Sequence, residues 1–66
     1  MLLAQLEAFS EVARLRNVSR AAETLSVTQP ALTARLQGLE SELGVELFVR
    51  ASRGMTLTDA GRALLP

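Results

Sequence analysis

The side chains able to do chemistry in this chain are few. There is no cysteine and no histidine, so neither a disulfide nor an ordinary zinc site is available, and no imidazole can serve as a general base. The absence of lysine removes Schiff-base chemistry; tyrosine and tryptophan are absent too. The serines and threonines have no base to activate them and read as helix caps. What remains is recognition chemistry: seven arginines, seven carboxylates, and the run Thr28-Gln29-Pro30-Ala31-Leu32-Thr33-Ala34-Arg35. A glutamine can hydrogen-bond adenine bidentately, and alanine or threonine methyls fit against a thymine methyl. That stretch is short-chained and polar, with no acid until Glu40. A binding module is expected here, with no enzyme activity, no cofactor and no metal.

The net charge is zero, which runs against the basic balance usual for a nucleic-acid binder. The distribution is uneven, however. Arg14, Arg16 and Arg20 cluster, Arg50 and Arg53 form a second pair, and Glu40, Glu42 and Glu46 lie together between them. A neutral total with a polarised surface still admits an anionic partner on one side. No stretch approaches the ~20 apolar residues of a membrane span. Glu7 and Glu11 interrupt the N-terminal apolar run, and no basic segment precedes it. The expectation is a cytoplasmic protein without membrane contact.

At 66 residues and 7.1 kDa the chain allows one small domain. Surface scaling gives a folded accessible area of ~4,100 Å², with about 60% of the unfolded surface buried, so a lone copy is marginal in stability.

The elements that must position the polar run follow from the apolar pattern. Leu3, Leu6, Phe9, Val12 and Ala13 trace a helical stripe over 3–15. Arg16-Asn17 breaks it, and asparagine tolerates the left-handed conformation that ends many helices. Ser19 is the expected N-cap of a short second helix over 20–25, although Glu23 lies four residues on instead of the three of a capping box. Ser26-Val27 makes a corner, with Val27 plugging the core beneath it. Thr28 caps a third helix that carries Pro30 in its first turn and runs to Leu43, where Gly44 provides a left-handed cap. Leu32, Leu36, Leu39 and Leu43 form its apolar seam, too short for a coiled coil and suited to a core.

Beyond Gly44 the period changes. Val45, Leu47 and Val49 alternate with Glu46, Phe48 and Arg50, which predicts a strand over 47–50, a turn through Ser52, Arg53 and Gly54, and a return strand over 55–57. Thr58 caps a final helix with Asp59 in its first turn. That helix is still apolar where Pro66 closes the sequence, which reads as a truncation. Helix, short helix, tight turn, longer helix, hairpin and helix is the order of a mainly α winged helix-turn-helix. In that architecture the second helix braces the third, whose N-terminal half enters a major groove about 12 Å wide.

The stretches Gln5-Leu6-Glu7-Ala8-Phe9, Ser19-Arg20-Ala21-Ala22, Thr28-Gln29-Pro30-Ala31-Leu32-Thr33, Leu39-Glu40-Ser41-Glu42-Leu43-Gly44, Leu47-Phe48-Val49-Arg50 and Leu57-Thr58-Asp59-Ala60-Gly61 closely resemble the DNA-binding domain of LysR-type transcriptional regulators. The resemblance covers essentially the whole chain. It implies a winged helix-turn-helix domain over 1–58, with the helix-turn-helix at about 18–37 and the wing at about 47–57, and the start of a dimerising linker helix over 59–66. It further implies a bacterial transcription factor that binds double-stranded DNA, assembles through the linker helix as a homodimer or tetramer, and binds a small-molecule coinducer through a C-terminal domain outside this sequence. On that pattern Gln29, Pro30, Ala31 and Thr33 face the major groove, and Thr28 and Arg35 lie at its edges near phosphates. Arg53 sits at the wing tip toward the minor groove, and Arg50 closes the first wing strand.

Three departures stand out. Thr28 and Thr33 occupy positions where the family often has serine, which keeps the hydroxyl. Arg16 stands where glycine is frequent, so strain is expected at the exit of the first helix. The wing carries one arginine near its tip where many members carry more.

Blander readings exist for several residues. Gln29 could be a solvated first-turn residue, Arg20 suits either solvent or a phosphate, Arg14 could pair with Glu11 or Glu7, and Arg50 with Glu46. Leu2, Phe9, Leu64 and Leu65 are either core or partner-facing, with Leu64 and Leu65 assigned to a partner. The competing function is a winged-helix module used for protein–protein contact without DNA.

Overall fold

The apolar stripe over 3–15 folds into α1, Leu3–Leu15. The structure, a computed structural model, describes residues 3–51 and 54–65, without the side chains of Arg50 and Ala51. α2 is Val18–Thr24 and α3 is Gln29–Leu43. The hairpin strands are β1, Phe48–Ala51, and β2, Gly54–Leu57, and α4 is Asp59–Leu64. β1 and β2 pair antiparallel in the register Phe48 to Leu57, Val49 to Thr56, Arg50 to Met55 and Ala51 to Gly54. The expected mainly helical, winged arrangement is present.

Ala8, Phe9 and Val12 of α1 meet Val18, Ala21 and Ala22 of α2 and Leu32, Leu36 and Leu39 of α3 in one core, closed by Leu47 and Phe48. The two phenylalanine rings, Phe9 and Phe48, lie 5.4 Å apart at a 47° tilt, a favourable aromatic arrangement that ties the wing to α1. Ala21 and Ala22 let α2 approach its neighbours closely, and Val27 packs against the core from the turn as expected. The accessible surface, 4362 Å², is near the scaling value, so the small size of the core is the factor that limits stability.

Several expectations are corrected. Leu3 belongs to the stripe by spacing but is 72% exposed. Three residues fall about 60° short of a full helical turn, so three such steps place Leu3 on the face opposite Val12. Ala8, one turn before Val12, takes the buried place instead. Leu43 continues the α3 seam but, as the last residue of the helix, lies outside the core. In the wing the alternation does not hold. Leu47 and Phe48 are both buried, while Val45 and Val49 are exposed, because the strand starts at Phe48 and Leu47 belongs to the connection before it. Leu64 packs against the core instead of facing outward, whereas Leu65 is exposed. Leu2 lies outside the described residues.

The α1–α2 junction also differs from expectation. Ser19 is not the cap of α2. Asn17 is, in extended conformation (φ −152°), with its Oδ1 accepting the Arg20 N–H at 3.0 Å. The left-handed residue is therefore Arg16 (φ 55°), one position earlier, because the capping role holds Asn17 extended. Arginine in that conformation carries the strain expected where glycine is frequent. The turn has a purpose: the Arg16 carbonyl accepts the Met55 N–H of β2 at 3.2 Å, which fastens the wing to the exit of α1.

The far side of the wing is fastened by Thr58. Its side chain caps α4 by accepting the Gly61 N–H at 3.0 Å and donates to the Glu46 carbonyl at 2.6 Å, while its own N–H bonds the Leu47 carbonyl. Gly61 is buried, and only glycine fits there, since a Cβ would run into the Leu47 carbonyl oxygen and come within 2.8 Å of the Leu57 side chain. Arg62 pairs with Asp59 one turn earlier.

Candidate nucleic-acid interface

The N-terminal half of α3 is built as an exposed face on a buried seam. Thr28, extended at φ −75° and ψ 156°, caps the helix by accepting the Ala31 N–H at 3.2 Å, and Pro30 occupies the first turn where no N–H is required. Leu32 and Leu36 point into the core. The residues between them point outward: Gln29, Pro30, Ala31 and Ala34 are exposed and Thr33 is half-buried. Gln29, Pro30, Thr33, Ala34 and Gln37 line one open groove along this face. Gln37 was not singled out from the sequence, although it lies one turn beyond Thr33 and two beyond Gln29. The helical period alone would have found it.

α2 holds this face in place. Val18, Ala21 and Ala22 pack beneath it, and the turn between the helices is closed by the Ser26 N–H to the Glu23 carbonyl and the Val27 N–H to the Ala22 carbonyl, with Ser26 left-handed at φ 57°. A side-chain bond crosses the turn as well: Ser19 Oγ donates to Gln29 Oε1 at 3.0 Å. Arg20 is exposed in the first turn of α2, and Arg35 is half-buried on α3. Arg50 lies in β1 opposite Met55 with no description of its side chain, and Arg53 lies outside the described residues.

The acids are kept away from this face. Glu40 sits eleven positions beyond Gln29, about 16 Å along the helix axis. It is turned inward to the wing, where its Oε2 accepts the Leu47 N–H at 2.7 Å and the Phe48 N–H at 3.4 Å. The sequence reading placed Glu40 only as an acid remote from the groove. Its role as an anchor for the connection into β1 depends on a contact seven residues along the chain and has no local signal. Glu11 is likewise occupied. Arg14 donates to it at 2.8 and 2.9 Å and Thr24 at 2.6 Å, and these bonds, the one from Arg14 foremost, hold its carboxyl down to about 2. The same contact raises the Arg14 guanidinium further above its usual value. Arg14 is thus paired with Glu11, as one of its two expected partners. Among the described residues no group of acids could hold a metal ion, and no helix is long and apolar enough to cross a membrane.

Comparison with known proteins places this arrangement. Residues 3–62 match the family described as "Bacterial regulatory helix-turn-helix protein, lysR family". A transcriptional regulator from the ibpB-leuC intergenic region of Azotobacter vinelandii is 52% identical over the whole of this chain, which spans 46% of that protein. A probable cat1 operon transcriptional activator of Acinetobacter lwoffii is also 52% identical, over 94% of this chain and 20% of its own length. The chain thus spans less than half of either curated relative. Among solved structures, a CbnR_DBD–DNA complex superposes with a TM-score of 0.93 at 46% identity, covering 98% of this chain and 75% of that one. A regulator of the LysR family from Eggerthella lenta superposes at 0.90 with 44% identity, covering 97% and 91%. These are families of transcriptional regulators, not of enzymes. By its match over residues 3–62 and the superposition of its whole winged architecture, the chain belongs to the lysR family of bacterial regulatory helix-turn-helix proteins.

Proposed function

We propose that this chain is the sequence-specific double-stranded DNA-binding part of a bacterial transcription factor, with the N-terminal half of α3 in the major groove and the wing toward the adjacent minor groove. The observation that carries the reading is the exposed, acid-free groove of Gln29, Pro30, Thr33, Ala34 and Gln37 on a helix whose opposite side is fixed in the core. The DNA complex of the CbnR domain, at 46% identity, supports it. Gln29, Pro30, Ala31 and Thr33 meet base edges. Thr28, Arg20 and Arg35 meet phosphates, Arg50 steadies the wing, and Arg53 reaches the minor groove.

In this reading residues 1–58 form the DNA-binding unit and 59–66 begin a linker helix. The whole protein acts in the cytoplasm as a homodimer or tetramer joined through that helix, with a coinducer bound by a further domain. Activity resides in binding, not catalysis.

Titration of the chain with double-stranded DNA across salt concentrations tests the reading. Two arginines, Arg20 and Arg35, are assigned to phosphates, and each contributes ~0.9 to the log–log slope, so a slope of about −1.8 is expected, steeper if the wing arginines also neutralise phosphates. A flat dependence, with binding to protein partners retained, supports the protein–protein alternative instead.

A further inference from the structure

We propose that Ser19 is a positioning residue for base recognition: its bond to the Gln29 amide holds that side chain in one place at the open end of α3. The proposal rests on the DNA-binding reading above and adds a residue to it that contacts no base itself.

Ser19 stands in the first turn of α2 and Gln29 at the first position of α3, ten residues apart, and their side chains meet at 3.0 Å across the helix-turn-helix corner. The hydroxyl is available for this contact because Asn17, not Ser19, caps α2. Ser19 Oγ donates to Gln29 Oε1, and a serine hydroxyl can also accept from an amide nitrogen. The tether therefore fixes where the amide lies, whichever of its edges faces outward. A glutamine without it samples several rotamers, and ordering that side chain on DNA costs binding free energy.

The consequence for readout follows from the groove's chemistry. A glutamine amide held in place offers a donor and an acceptor together, the pair that matches adenine N7 and N6. Ser19 thus lowers the ordering cost of that contact without touching a base.

Selection from a randomised duplex pool, followed by titration of single-base variants, locates the position at which Gln29→Ala abolishes base preference. At that position the wild-type chain is expected to favour adenine. Ser19→Ala is expected to lower discrimination between adenine and the other bases roughly tenfold, within what one well-placed contact is worth. The circular-dichroism melting midpoint and the salt slope stay unchanged. Ser19→Thr, which keeps the hydroxyl, restores the discrimination. Ser19→Ala placed in the Gln29→Ala background changes base preference no further. An equal loss on all four bases assigns the hydroxyl to a phosphate and overturns the proposal. Unchanged discrimination overturns it as well, as does a lowered melting midpoint with discrimination intact. A wild-type chain that selects no sequence from the pool refutes the DNA-binding reading itself, an outcome distinct from any effect of Ser19.

Discussion

The two halves of α3 are held in opposite ways. Its C-terminal half is fixed through backbone groups: Gly44, left-handed at φ 71°, returns its N–H to the Glu40 carbonyl, and the Glu40 carboxylate accepts two N–H groups of the connection into the wing. Beyond these, the Thr58 latch and the close pass of Gly61 by Leu47 lock the wing to α4. Among the described residues, the N-terminal half has no such fastening on its outer face. Its hydrophobic seam is buried, but outward it is held by the Thr28 cap and one side-chain bond from Ser19. A helix anchored at one end and open at the other leaves the open end free for a ligand. Changes at the anchored end should then appear in stability, and changes at the open end in binding.

The largest expected effect lies in the seam that both halves share. Leu39 is fully buried, and Leu39→Ala should cost about 2–5 kcal/mol in chemical denaturation, enough to unfold a domain this small. Next, Glu40→Ala leaves the Leu47 and Phe48 N–H groups without their carboxylate and should cost about 1.5–3 kcal/mol, the range for hydrogen bonds to a charged group. If Glu40→Ala instead left denaturation unchanged and altered DNA binding, the division of α3 into an anchored and an open half would be broken. Of opposite sign is Arg16→Gly, which relieves a left-handed arginine and should raise the thermal midpoint by an amount equivalent to about 0.5–1 kcal/mol. A lowered midpoint would show that the Arg16 side chain contributes more than its backbone strain costs.

Much of the architecture was legible in the sequence because its signals are local. The Thr28 and Thr58 caps, Pro30, the Gly44 stop and the four–three spacing of Leu32, Leu36 and Leu39 each act within a turn of where they stand. The misreadings arose where two local signals competed or where the decisive contact was remote. At 16–20, both Asn17 and Ser19 could cap α2, and buried Val18 decides for the earlier start. In the wing, simple alternation put Val49 inside, but Phe48 has Phe9 to stack upon. Of the site, the exposed face of α3 could be drawn from periodicity, whereas the Ser19–Gln29 and Glu40–Leu47 bonds join residues that only the folded corner and wing bring together.

The smallest effect concerns α1 and α2, away from both halves. Glu11 is held at about 2 in the folded chain against 4.5 for the unperturbed group, through its bonds from Arg14 and Thr24. Because the folded value is the lower one, its stabilisation is fully present above about pH 4.5 and is lost as the pH falls toward 2. Melting curves of Glu11→Gln and the wild type should therefore differ at neutral pH and converge over that interval. Curves that stay equally far apart at the acid end would assign the effect to packing.

The central claim, that the open half of α3 is the part that meets DNA, is tested most directly by amide NMR of the chain titrated with a selected duplex. The account predicts that the amides of Gln29, Ala31, Thr33 and Arg35 shift or broaden first, while those of Leu39, Glu42 and Leu43 stay in place. Perturbation concentrated at Leu43 to Glu46, with the amides at 29–35 unmoved, would contradict it.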